Sequence, residues 1–328
     1  MSNTTTQACV GYFGKIPSRG DFIKAAENIA LIEVLDDWLA QTMALLSEDP
    51  RWKIGYDSAK PLDFAFVGPR KKRAIAGHII ASSDMAQRRF PFLTMSEMEI
   101  DDPAEFVSSS PIILSRLWNR LALQGVSIVS APDPIIPLQN LSSTRIELEL
   151  RNHGYEAAFA DFLEMQSLGA LDNMLANAGF RGNCCQLILA LGLLLQPVMT
   201  SSSSRLEKSL VLPLPKDPMY RYLVGALWMH LITPFLSRAD FELALFFAQL
   251  EKYPAMVLGF SGASAGTLQA ILDPQIGEEH HISFHDTDWV ESQINADFGL
   301  KKLSSYLMQP EISLKSVLDL FRTTFIGT

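Results

Sequence analysis

Apolar positions recur along the chain with two different periods. Between residues 31 and 47, Ile32, Leu35, Leu39, Met43 and Leu46 fall three or four apart with Trp38 beside them. That spacing predicts a helix, which Asp49-Pro50 ends. Short apolar runs bounded by turn residues predict strands: ACVGYFG over 8–14, LDFAFV over 62–67, AIAGHIIAS over 74–82 and FLTMSEMEI over 92–100. A helix is expected over 21–29, after the breakers Pro17, Ser18 and Gly20. Another is expected from Ser109-Ser110-Pro111, a hydroxyl cap before a proline in the first turn, through LSRLWNRLAL. This part therefore reads β-α-α-β-β-β-α, an α+β layer with a mainly antiparallel sheet.

Three prolines and several turn formers in SAPDPIIPLQNLSS predict a linker over 131–144. Beyond it, helices are expected near 155–177 and 183–199, with SSSS at 201–204 as a loop. SLVLPL, ELALFFA and AMVLGFSG read as strands, and MYRYLVGALWMHL and TLQAIL as helices. Two more helices are expected near 288–304 and 313–325. Each half shows a strand–helix–strand–strand–helix order. The expected organisation is a domain over 1–130, the linker, and a helix-rich α/β domain over 145–328.

Composition supports this picture. Of 328 residues, 48% are hydrophobic and 19% charged, enough apolar material for one or two sizeable cores and too much for a disordered chain. The net charge is −9, carried unevenly: residues 1–145 hold 15 basic and 16 acidic side chains, residues 146–328 hold 12 and 20. Such a balance argues against a nucleic-acid partner or an anionic membrane surface. Cys9, Cys184 and Cys185 form neither a disulfide framework nor a metal spacing. The start, MSNTTTQACVGYFG, lacks the basic region of a secretory signal, and the apolar run LILALGLLL is half the length of a membrane span. A cytoplasmic protein without direct membrane insertion is expected.

Three segments could carry chemistry. GYFGKIPSRGDF over 11–22 packs three glycines, a proline and alternating charges into twelve residues. It is too short for a phosphate loop and lacks the hydroxyl after Gly14-Lys15. As a strand-to-helix turn, it would use Ser18 or Asp21 as a cap. GASAG, Gly262 to Gly266, has the spacing of a nucleophile elbow, with Ser264 as nucleophile and His280, His281 or His285 downstream. Yet only 64 residues follow Ser264 and no oxyanion segment precedes it, so a helix-capping turn is the simpler reading. EEHHISFHDTD places His281 and His285 four apart among carboxylates, but its apolar residues favour a solvated extended loop over a zinc site. The basic turn Arg70-Lys71-Lys72-Arg73 reads as a solvated hairpin or a docking point for an acidic partner.

GYFGKIPSRGDF, the Asp-x-Trp of Asp36 and Trp38, and RRFPFLTM over 88–95 together resemble the TagF (ImpM) family of type VI secretion-associated proteins, over roughly residues 9–125. The resemblance implies a compact N-terminal three-layer domain of the longin or profilin kind. It also implies a non-enzymatic, post-translational repressor of bacterial type VI secretion that binds and sequesters a forkhead-associated scaffold protein, with no cofactor. The matching positions are Gly14, Lys15, Pro17, Ser18, Gly20, Asp21, Phe22, Trp38, Arg89, Phe90 and Pro91. Gly14, Pro17 and Gly20 are expected to set the turn, and Asp21 to cap the helix or pair with an Arg. Phe22, Trp38, Phe90 and Pro91 are expected to pack together, leaving Lys15, Ser18, Arg19 and Arg89 free to meet a partner. A serine hydrolase built on Ser264 and a structural accessory subunit of the secretion complex are the alternatives.

Overall fold

A computed structural model of the chain describes residues 4–151, 153–199, 206–236 and 240–327. The SSSS loop lies outside the described residues.

The first half begins with β1 (Thr4–Gly14) and β2 (Ile23–Ala25), then α1 (Ile29–Leu46) and a short α2 (Trp52–Ser58). Next come β3 (Leu62–Val67), β4 (Arg73–Ile80), β5 (Phe92–Glu99), α3 (Pro103–Ser130), α4 (Ile135–Ser143) and β6 (Arg145–Arg151). The second half opens with α5 (His153–Met165), α6 (Leu168–Ala178) and α7 (Cys184–Leu195), then β7 (Ser209–Pro213) and α8 (Pro218–Leu236). A hairpin follows, β8 (Leu243–Gln249) and β9 (Pro254–Gly259), then α9 (Ala265–Leu272), α10 (Pro274–His280) and β10 (His281–Ser283). Three helices close the chain: α11 (Trp289–Ala296), α12 (Phe298–Leu307) and α13 (Leu314–Phe325).

All ten strands form one sheet, ordered β10-β7-β9-β8-β3-β4-β5-β1-β2, with β6 also on β1. Every pairing is antiparallel except β10 on β7. The fold is therefore α+β with a mainly antiparallel sheet. The sheet runs across the boundary expected near 131–144: β3 pairs with β8 from Asp63↔Phe247 to Val67↔Leu243. In each half a strand and a helix lead into a hairpin, and the first strands of the two hairpins meet at this seam.

Alternation on β3 and β8 sends aromatic side chains to both faces of the sheet. On one face Trp38 of α1 packs against Phe64, Phe66 and Phe246, with ring centroids 5.0–6.2 Å away. On the other, Trp118 of α3 packs against Phe247 of β8 and Tyr222 of α8, at 5.1 and 5.7 Å. Both Trp118 and Trp228 donate their indole N–H to buried strand carbonyls, Phe64 and Pro213. The apolar run Leu187–Leu195 lies in α7 and is largely buried. A Cβ on its Gly192 would collide with the ring of Phe325 on α13, so the glycine sets how closely α7 and α13 approach.

Five expected elements differ from the structure. Residues 21–29 are not a helix: Ile23–Ala25 pairs back onto Tyr12–Gly14 as a hairpin, and Asn28 caps α1 by accepting from the Ala30 N–H. The helix expected from Ser109 starts at Pro103, where the Asp102 carboxylate accepts from the Glu105 N–H. Pro111 is therefore interior and cannot donate to the Val107 carbonyl. The Ser110 hydroxyl donates to that carbonyl instead, at 2.9 Å. The Pro-rich linker folds as α4, whose Leu141 is fully buried, and runs into β6. The helices expected over 155–177 and 288–304 are each two helices. Ser167 and Asp297 cap the second of each pair by accepting from Ala170 and Leu300 N–H groups.

Candidate functional site

The turn that follows β1 is fixed at its base by Gly14. Its φ is +129°, a left-handed conformation, and a Cβ there would strike the Pro91 carbonyl oxygen. Only glycine satisfies both demands. Gly14 pairs across strands with Phe92. The two segments GYFGKIPSRGDF and RRFPFLTM are thus two sides of one locked corner.

Above that base, Asp84 is the hub. It lies in the β4–β5 connection with no exposed surface. Its Oδ1 accepts from the Ala86 and Arg88 backbone N–H groups, both at 2.9 Å. Its Oδ2 accepts from Lys15 Nζ at 3.0 Å and Arg88 Nε at 2.7 Å. Burial alone would raise this carboxyl, but these four donors outweigh it and hold the group well below the usual carboxylate range. Arg88 also donates from Nη2 to the Gly20 carbonyl at 2.7 Å, and the Met85 N–H donates to the Arg19 carbonyl at 2.9 Å. Two loops distant in sequence are stitched into one surface.

An aromatic trio supports it from β1. Phe13 stacks on Phe22 with centroids 5.6 Å apart, and Phe90 meets both edge-on at 5.8 and 4.8 Å. Lys15 Nζ sits 4.8 Å from the Phe22 ring centroid, so its charge is shared between Asp84 and a π face. Pro91 is buried beside Gly14.

Several expected roles change. Lys15 is not free: it is 7% exposed and ion-paired. Arg89 is held by Asp57 through two hydrogen bonds of 2.7 and 2.6 Å, which lower the Asp57 carboxyl. Among the described residues, Ser18 caps no helix and its buried Oγ has no partner. Among the described residues, Asp21 neither caps a helix nor pairs with an Arg; it accepts from its neighbour, the Phe22 N–H. Trp38 does not join Phe22 and Phe90 but lies at the β3–β8 seam. Pro17 and Gly20 are exposed in the turn. Arg19 keeps its freedom most nearly, with its side chain 41% exposed and a loose 3.9 Å pairing to Asp133. Asp84, Phe13 and Asp57 escaped the motif reading. The signal for Asp84 is an acid four residues before Arg88, opposite in charge to both Arg88 and Lys15.

Ser264 precedes α9 with an ordinary extended backbone, and its carbonyl accepts from Trp38 Nε1 at 3.2 Å. Among the described residues, no hydrogen bond joins its hydroxyl to a histidine. His281, read as part of a solvated loop, begins β10. Its ring is largely buried and its pKa is pushed down to about 4, first by that burial. His285 packs against Phe180 and Tyr253. Among the described residues, no group of three or more His, Cys, Asp and Glu could hold a metal ion, and no helix is long and apolar enough to cross a membrane. The basic turn joins β3 to β4, and its Lys71 pairs with Asp240 and Glu242 of the second half, at 3.5 and 3.1 Å.

Comparison with known proteins matches residues 11–141 to the family described as TagF N-terminal domain, Type VI secretion system-associated. The chain is also similar to the crystal structure of PA0076 from Pseudomonas aeruginosa PAO1, at 21% identity and a TM-score of 0.34. That similarity covers 41% of this chain and 61% of the other. No curated protein matches. Residues 11–141, with the locked corner at their start, therefore match a TagF N-terminal domain, a type VI secretion system-associated module.

Proposed function

We propose that this protein is a non-enzymatic, cytoplasmic repressor of type VI secretion that binds and sequesters a forkhead-associated scaffold protein. The observation that carries the reading is the clasp between residues 15–22 and 84–88 inside the TagF N-terminal domain. Its interior is closed by an ion-pair hub. Its outer surface presents Phe22 at 42% exposure, Met85 at 67% and the Arg88 side chain at 61%, beside Arg19. A rigid patch of apolar groups ringed by arginines loses little conformational entropy on docking, and such residues anchor protein interfaces. Lys15 is excluded from the contact because it is spent on Asp84.

The test combines dose and surface. Deleting the gene is expected to raise secretion, and excess protein to silence it. Secretion abolished by deletion would replace the repressor with an accessory subunit. Met85→Glu combined with Arg19→Glu is expected to weaken capture of the scaffold by the full chain while leaving Tm within a few degrees, because both groups are exposed. Unchanged capture by the folded double variant would move the contact elsewhere.

A further inference from the structure

A cavity of about 410 Å³ opens between the N-terminal end of α3, α5, α8 and α13, away from the clasp. Its size is that of a small-molecule site. Phe106 and Ile113 of α3 and Phe159 and Leu163 of α5 form apolar walls, and all four are buried. Its polar lining includes His230 of α8 and Arg322 of α13.

The protonation of this pair follows from geometry. Arg322 Nη2 lies 3.4 Å from His230 Nδ1 and 3.5 Å from its backbone oxygen. A guanidinium can only donate, so Nδ1 is the acceptor and the ring proton sits on Nε2. The ring is held neutral: burial first, then Arg322, pushes its pKa down to about 4. Phe159 stacks on it at 4.8 Å and fixes its plane. Among the described residues, His230 Nε2 and Arg322 Nε are both buried without a hydrogen-bond partner. Two donors without acceptors therefore belong to residues of one cavity wall, beside one positive charge. Buried unsatisfied donors are costly, and an incoming acceptor relieves them. The rim has the opposite sign: Asp101, Asp102, Glu105 and Glu156 are exposed around the mouth.

We propose that this cavity binds a monocarboxylate with an apolar body, its carboxylate received by Arg322 and His230 and its chain laid along Phe106, Ile113, Phe159 and Leu163. The proposal is independent of the repressor reading.

Isothermal titration of the full chain with sodium octanoate tests it, with 1-octanol and octyltrimethylammonium as matched probes. Octanoate is expected to bind saturably at one site, the alcohol about tenfold more weakly and the cation not at all. Arg322→Met keeps the stem and removes the charge. It is expected to weaken octanoate about tenfold or more and leave octanol unchanged. Ser109→Phe, which projects a ring into the cavity from α3, is expected to abolish both. Three results overturn the proposal: no saturable octanoate binding to the parent chain, the cation binding as tightly as the carboxylate, or octanoate affinity unchanged in either folded variant. The comparison of the three probes on the parent chain decides the matter even if a variant fails to fold.

Discussion

Gly14 shows how a single residue can hold a functional surface in place. It combines a left-handed φ with backbone contact to Pro91, so any side chain is excluded twice. Gly14→Ala is expected to cost about 1–3 kcal/mol from the backbone conformation alone, with more from the collision. Thermal unfolding of the full chain measures it, and a variant as stable as the parent would show that the corner can shift freely. Asp84 makes a second prediction at this scale. Its folded pKa lies below its unfolded value, so it contributes stability above the ordinary carboxylate range near 4. That contribution is lost as pH falls from there towards the folded value. Asp84→Asn is expected to unfold at lower temperature than the parent at pH 7, with the gap narrowing at about pH 3. A gap constant over that range would mean that Asp84 acts through shape and not through charge.

Elements explain which parts of the fold could be read from the chain. The strands at 62–67, 74–82 and 92–100 were legible because they are buried on both faces and so read as short apolar runs between turn residues, and the helix at 31–47 because its apolar period is clean. Residues 21–29 were not, because Ile23–Ala25 forms a strand only by pairing with β1, a contact that no local signal encodes. Pro111 misled for the opposite reason. It carries a strong helix-start signal, but Asp102-Pro103 carries another, and the Ser110 hydroxyl satisfies the carbonyl that Pro111 leaves open. In the clasp, the motif marked the right segments and misassigned Lys15, since its buried partner lies 69 positions away. Trp38 was legible as important but not as a seam residue, because its hydrogen-bond acceptor, the Ser264 carbonyl, is 226 positions away. Trp38→Phe keeps most of the ring packing and removes the donor. It is expected to cost about 1–2 kcal/mol in equilibrium unfolding, and a neutral change would assign the link between α1 and α9 to packing alone.

At the scale of the whole molecule, the seam between β3 and β8 governs how the chain can be divided. The matched domain ends at residue 141, yet β3 is then an open edge whose inner neighbour β4 is already paired. That edge carries Phe64, Ala65, Phe66 and Val67 with a single charge, Asp63, and no lysine or proline within the strand to protect it. Removing the second half also strips Phe246 and the Ser264 carbonyl from Trp38, and Phe247 and Tyr222 from Trp118. Both faces of the sheet lose cover at the same place. A fragment of residues 1–141 is therefore expected to self-associate or to bind a dye specific for exposed apolar surface, whereas the full chain does neither. Light scattering coupled to size exclusion, with dye fluorescence in parallel, distinguishes the two. A fragment that stays monomeric, ignores the dye and unfolds cooperatively at the temperature of the full chain would show that the seam is a docking contact between self-sufficient units. Self-association through β3 would mean instead that the acidic second half completes the sheet on which the clasp is built, and partner capture is then meaningful only with the full chain.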